Sequence, residues 1–269
     1  MAGASAFEHV QDSSHWHLFD GVSISLPSVF GFQITKFMVL ELIAAGLLVA
    51  IFVPLCRRAQ RGAMPKGPWW NAFESFLTFI RDEVAKPNLG EHDADKFVPL
   101  LWTMFLFILF CNLLGMIPFL GSPTASISVT GAMAACSFVV MHGAAIAKMG
   151  GIGYLKSLWP HIDVPYAGWP IALMIFVIEL AGTFIKAFVL AVRLFANMFA
   201  GHMVLATILL FILTVGQGGF SLLWSGVTVS SVLGVVALSL LELFVAFLQA
   251  YIFTFLTALF MGMALHPAH

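Results

Sequence analysis

The sequence predicts an all-α, polytopic membrane protein with about five membrane helices, the last two of them unusually long. Three observations predict it. Hydrophobic residues make up 61% of the 269 residues and charged ones only 9%, whereas a soluble domain carries roughly 25% charged residues. The apolar residues are gathered into runs of about membrane-spanning length or more. The polar and basic residues are gathered between those runs. The net charge of -1 says nothing about partners, but no basic cluster suits nucleic acid; the bilayer is the partner that composition demands.

Residues 1–36 form a polar, acidic N-terminal tail with Glu8, Asp12 and Asp20. It lacks the basic start and short apolar core of a signal peptide. His9, His15 and His17 gather there; a solvated, partly disordered tail is the plainer reading, a metal site the other. The first span is read at 37–57. Arg57, Arg58 and Arg61 follow it and open a polar segment, 58–96, in which Trp69, Phe73, Phe76, Leu77 and Ile80 recur at helical spacing. That stripe predicts an amphipathic helix on the membrane surface or against a partner. A transmembrane hairpin is read at 97–147, turning near Pro118, Gly121 and Pro123, and a loop with Gly150, Pro160 and Pro165 at 148–168. Cys56, Cys111 and Cys136 all stand in apolar runs and read as small core hydrophobes.

The last stretch, 169–265, consists of two apolar runs, 170–215 and 228–265, parted by Gly216, Gly218 and Gly219. A helix over the first would be roughly 67 Å long, against a hydrocarbon core about 30 Å thick. Each run is therefore either two ordinary spans or one steeply inclined helix. Gly182, Asn197 and Gly201 are the candidate breaks in the first run, and none comes with proline or a polar cluster. A turn within lipid would strand backbone groups without partners, so the pattern favours two long tilted helices in a hairpin. Lys and Arg concentrate in 57–96 and at Lys148 and Lys156, while the tail holds only Lys36. By the positive-inside rule the N-terminus lies outside and both basic loops and the C-terminus lie in the cytoplasm.

Beyond Asp163 the only formal charges are Glu179, Lys186, Arg193 and Glu242, all within the long runs, where Asn197, His202 and Gln249 join them. An ionisable group at mid-bilayer costs at least ~2.5–3.5 kcal/mol, and such groups are kept where they face an ion path, a water-filled cavity or a partner. Glu179, Lys186 and Arg193 are spaced by seven and Asn197 follows four later, which sets them on one helical stripe. His202 is nine beyond Arg193, near the other side; Glu242 and Gln249 are again seven apart. Histidine and a perturbed carboxylate exchange protons near neutral pH, while arginine stays cationic. Arg193 thus stands as a fixed cation between two protonatable groups, which interrupts a continuous proton wire. Plainer readings stand beside this one. Arg193 can pair with a buried acid, Lys186 can snorkel to an interface, His202 can be a hydrogen-bonded core residue, and Glu242 can simply neutralise it. Glu41 and His142 read as lone polar groups hydrogen-bonded inside the bundle.

The stretch Lys186-Ala-Phe-Val-Leu-Ala-Val-Arg193-Leu-Phe-Ala-Asn197-Met-Phe-Ala-Gly201-His202 resembles the signature helix of subunit a of rotary F-type ATP synthases. Leu241-Glu242 through Leu248-Gln249-Ala-Tyr-Ile-Phe253 resembles that family's last helix, and Asn112-Leu-Leu-Gly115-Met-Ile-Pro118 the end of its second span. The resemblance covers about 37–263. It implies a tilted helical hairpin lying against a ring of c subunits, with peripheral-stalk b subunits and the other ATP synthase subunits as further partners. It implies that Arg193 is the essential stator arginine, which drives a ring carboxylate to give up its ion and separates two offset half-channels. Glu179 falls in the cytoplasmic half-channel and His202 and Glu242 in the outer one. Asn197 and Gln249 fall near the arginine, and Lys186 lies on the same path. Many bacterial members carry glutamate where this chain has His202 and histidine where it has Glu242; the exchange, found in mitochondrial-type members, keeps an acid–base pair across the hairpin. A mitochondrial inner membrane stays open, though the long N-terminus and full cytoplasmic segment suit a bacterial cytoplasmic membrane better. No cofactor is implied. The chain alone is expected to carry no catalysis, since it has no GxxxxGK[ST] phosphate loop, HExxH or Gly-x-Ser-x-Gly elbow. An independent channel or secondary transporter is the competing class; it predicts internal repeats, and none is evident.

Overall fold

The computed structural model describes residues 12–13, 15–19, 22–29, 32–60, 67–117, 120–157, 159, 168–216 and 222–266. His9, Arg61, Lys66, Pro118, Gly218–Gly219 and the proline-bearing stretch 160–167 lie outside them. Five helices are long and apolar enough to cross a membrane: α1 (Lys36–Gln60), α4 (Glu91–Gly115), α5 (Ile127–Met149), α7 (Gly168–Gly216) and α8 (Leu222–Leu265). Shorter helices are α2 (Pro68–Phe79), which continues through a π-helical stretch Ile80–Ala85 into α3 (Lys86–Leu89), and α6 (Gly151–Ser157). Both long apolar runs are single continuous helices of 49 and 44 residues, and Gly182, Asn197 and Gly201 do not break the first. Every main-chain group in their interiors is paired within the helix, as a lipid environment requires.

The described residues of the tail contain two antiparallel hairpins, β1 (His15–Phe19) with β2 (Val22–Ser25) and β3 (Ser28–Val29) with β4 (Phe32–Gln33), where the sequence reads as a partly disordered tail. Ahead of them, Ser13 O accepts from the Lys36 amide at 3.1 Å and Asp12 Oδ1 accepts from the Phe37 amide at 3.3 Å. Two of the orphan donors at the start of α1 are thereby capped from residues far away in sequence.

The described residues divide into two units. The first comprises Met1–Met64, Leu106–Thr130 and Leu194–Ala250. Here Ala44 of α1 packs on Cys111 and Leu114 of α4, and Ala125 on Met198 of α7 and Ala246 of α8. Gly216 meets Trp224, Gly201 meets Glu242, and Met198 meets Ala246, so the two long helices run antiparallel in this unit. Small residues let them approach closely at places, as at Gly201 and Ala246, while large ones such as Phe244, 67% exposed, face outward. This is packing suited to lipid, where close backbone approach rather than hydrophobic exclusion holds helices together.

The second unit comprises Pro65–Phe105, Gly131–Arg193 and Tyr251–His269. It resolves the amphipathic segment. The stripe of α2 is covered by the chain itself: Phe76 lies 4.6 Å from Phe105 between ring centroids, Trp102 Nε1 donates to Leu77 O at 3.0 Å, and Ile80, Val84, Ala85 and Leu89 are buried. Arg81 grips Asp95 with two hydrogen bonds, of 2.8 and 3.1 Å. The helix α4 begins at Glu91 and runs through Pro99, so the stretch read as polar segment already belongs to it. Asp93 in its first turn gathers Lys148 from the end of α5 at 2.7 Å, Lys96 at 3.5 Å and His266 at 3.6 Å.

Two lone-residue expectations change. Only Cys111 sits in the core; Cys56 and Cys136 are exposed on the outer faces of their apolar helices, where lipid rather than protein would cover a thiol. The half-buried Glu41 carboxyl makes no hydrogen bond among the described residues.

Candidate functional site

The functional side chains are held by α7 and α8, and each unit carries one group of them. In the first unit His202 Nδ1 lies 3.5 Å from Glu242 Oε1. Glu242 is 7% exposed and Gln249, two turns on, 5%, so the seven-residue spacing sets both on one inward face of α8. Gly201 makes the pair fit: a Cβ there would stand 2.9 Å from Glu242 Oε1. The carboxylate therefore lies directly on the α7 backbone. Asn197 Nδ2, His202 Nε2, Glu242 Oε1 and Gln249 Nε2 are buried without a hydrogen-bond partner among the described residues. Unpaired buried polar atoms cost ~1–3 kcal/mol each, so four of them in one unit call for an explanation other than stability.

Sequence reasoning missed the support beneath that face. Asn112 is fully buried; its Nδ2 donates to Ala246 O at 3.3 Å, and its Oδ1 accepts from Thr124 Oγ1 at 2.6 Å. Thr124 in turn shares a 2.7 Å hydrogen bond with Ser122. Ala246 lies between Glu242 and Gln249 along α8, so this chain ties the turn after α4 to the helix that carries both. The sequence sign was the Asn112–Pro118 stretch of the resemblance, whose Gly115 leaves no room for a Cβ, which would strike Ser122 Cβ at 2.3 Å.

In the second unit Glu179 and Lys186 line one cavity of about 70 Å³ together with His142, Tyr154, Ser157 and Thr183. Lys186 Nζ stands 5.4 Å from the centroid of the Phe260 ring, a cation–π contact inside the unit where snorkelling was the alternative. His142 is hydrogen-bonded, as its lone-polar reading required: Nδ1 meets the Tyr154 hydroxyl. Burial, and after it the charge of Glu179, raises the Tyr154 hydroxyl above the ordinary phenol range. Arg193 is exposed, on a side of α7 that also exposes Ile185 and Val189. No carboxylate among the described residues lies within ion-pair distance of it. The reading in which Arg193 is neutralised by a buried acid of its own chain thus finds no partner there.

The sequence profile of the ATP synthase A chain matches residues 38–262. The chain belongs to the ATP synthase A chain family. Curated proteins named ATP synthase subunit a are similar to it throughout. One from an Anaeromyxobacter species is 39% identical over 267 residues, covering 97% of this chain and 63% of the relative. One from Anaeromyxobacter dehalogenans is 44% identical, covering 86% and 58%. One from Myxococcus xanthus is 41% identical, covering 88% and 74%. The chain thus spans about three-fifths of the length of the two Anaeromyxobacter members of the family. The matched segment takes in every residue of both groups, from Asn112 to Gln249, and leaves out the N-terminal hairpins.

Proposed function

We propose that this chain is the proton-translocating stator subunit of the membrane sector of a rotary ATP synthase. Its Arg193 faces a ring of c subunits, and it supplies two offset half-channels that couple proton flow to ring rotation and ATP synthesis. The observation that carries this reading is the exposure of Arg193 amid apolar side chains with no carboxylate of its own chain beside it. A permanent cation at that depth requires a counter-charge. A mobile partner that brings carboxylates past it supplies one and, as each passes, favours its ionised form.

Glu179 and Lys186 with their cavity form the cytoplasmic half-channel, and His202 with Glu242 the outer one; Asn197 and Gln249 lie on the path near the arginine. The distribution of Arg and Lys places the N-terminus outside and the C-terminus in the cytoplasm of a bacterial inner membrane. To stay within a core about 30 Å thick, a 49-residue helix must incline by roughly 65° from the membrane normal. Such an incline suits a pair of helices that follow the side of a ring. Peripheral-stalk b subunits anchor the chain against the torque, and catalysis resides in other subunits.

Arg193→Ala is expected to abolish ATP-driven proton pumping in inverted membrane vesicles while the subunits still assemble. Pumping at the normal rate in that variant would end the role given to Arg193.

A further inference from the structure

We propose that His142 and Tyr154 form a proton relay joining the Glu179 cavity to the cytoplasmic face. The proposal rests on the reading of the chain as a proton conductor and adds two residues to its inner path. His142 stands on α5 and Tyr154 on α6, and the turn at Gly150, at φ 76°, folds one helix onto the other. The ring is fixed from two sides, by Phe138 at 4.1 Å between centroids and by the Tyr154 hydroxyl on Nδ1. Ser157 Oγ donates to Tyr154 O at 2.8 Å and holds that turn of α6.

Three features suit transfer more than packing. The hydrogen bond is reversible in sense: the hydroxyl donates to Nδ1 in one ring tautomer and accepts from it in the other. The far nitrogen, Nε2, is buried and has no partner among the described residues, so the ring has a second site at which to take up a proton. Both residues line the cavity that holds Glu179. About 70 Å³ admits several waters, since each needs roughly 10–15 Å³ of such volume, and Ser157, Thr183, Glu179 and Lys186 supply partners for them. Among the described residues lining the cavity, the other titratable groups facing the pair are Glu179 and Lys186, both from α7, and α8 contributes Phe260, Met263 and Ala264.

In one transfer, a small movement of the imidazole opens Nε2, buried in the resting structure, to cavity water, and a proton released by Glu179 binds there. The imidazole gives its Nδ1 proton to the Tyr154 oxygen, and Tyr154 passes its own proton to the cytoplasm. One proton enters and one leaves. The imidazole returns to its first tautomer before the next transfer, and Glu179, ionised by the release, takes up a fresh proton from the rotor.

The test uses the assembled complex in inverted vesicles, with subunit content checked by immunoblot and passive proton flux measured after the catalytic head is stripped off. His142→Ala is expected to slow the flux about tenfold or more, within the range for a lost acid–base group, and added imidazole to restore it. His142→Gln, whose amide can still bond Tyr154, stays slow, and Tyr154→Phe is slowed as well. Wild-type flux in His142→Gln, or failure of imidazole to speed His142→Ala, overturns the relay. If His142→Ala does not assemble, His142→Gln and Tyr154→Phe decide. Coupled pumping by Arg193→Ala, measured in parallel, judges the stator reading separately.

Discussion

Gly201 decides how close Glu242 lies to the backbone of α7. Its missing side chain leaves the carboxylate room beside His202, and the obstacle to a methyl group there is the tip of a flexible chain. Gly201→Ala is therefore expected to assemble normally yet slow ATP-driven proton pumping several-fold, because the carboxylate must swing away from its partner. Shortening the acid in Gly201→Ala/Glu242→Asp should recover part of the loss; no recovery would mean that the methyl acts elsewhere. His202 and Glu242 should also couple. In a double-mutant cycle with His202→Gln and Glu242→Gln, the loss of pumping is expected to be smaller than the product of the single losses, since either change already breaks the pair. In the inner group, Glu179→Gln removes one of the two causes that raise Tyr154, so its phenol should titrate lower, with burial still holding it above normal; ring-labelled tyrosine NMR reads this. The charged residues of these groups were legible in the sequence because a charge in an apolar run is costly wherever it stands. Gly201 and the His142–Tyr154 pair were not. A glycine in a long run gives no sign of the helix that will approach it, and twelve residues separate His142 from Tyr154 with no helical period to link them.

At the scale of elements, the turn from α4 to α5 is as consequential as the helices it joins. Asn112, Thr124 and Ser122 form a buried chain that ends on Ala246 O. Replacing Asn112 by Leu leaves Thr124 without its acceptor at a cost of ~1–3 kcal/mol. The midpoint of thermal unfolding of the purified complex should fall, and proton pumping should weaken with it because Ala246 holds the face between Glu242 and Gln249. An unchanged midpoint would relegate this chain to a bystander. Helix existence was readable from the apolar runs, but helix limits were read too narrowly. Pro99 and the charges of 91–96 suggested a boundary, yet α4 runs through both, because Arg81, Lys148 and Lys96 neutralise Asp95 and Asp93 in its first turns. The stripe of α2 reads in sequence as an amphipathic helix on the membrane surface or against a partner; that Phe105 and Trp102 of its own chain approach Phe76 and Leu77 depends on tertiary packing that periodicity does not encode.

For the whole molecule, the ambiguity between four short spans and two long helices is settled by backbone chemistry. Without proline or polar residues to pair a turn in lipid, α7 and α8 stay unbroken. If Arg193 faces a ring as proposed, exposed side chains on its side of α7 should meet that ring. With Cys56 and Cys136 replaced by Ser, Val189→Cys and Phe244→Cys are each expected to form disulfides with cysteines placed on the outer helix of the c subunit. Ala246→Cys, fully buried, is the negative control, and ring crosslinks from it but not from the other two would place the contact on another face.

The continuity of α7 has a further consequence for what can travel beside it. Where a transporter helix unwinds, freed carbonyl oxygens coordinate a bare metal cation; here the main chain has none to spare. An alkali ion stripped of its water would have to find all its oxygen ligands on side chains. A proton needs one lone pair at a time. On the proposed reading of α7 as one wall of an ion path, a proton is the cargo that its closed backbone suits.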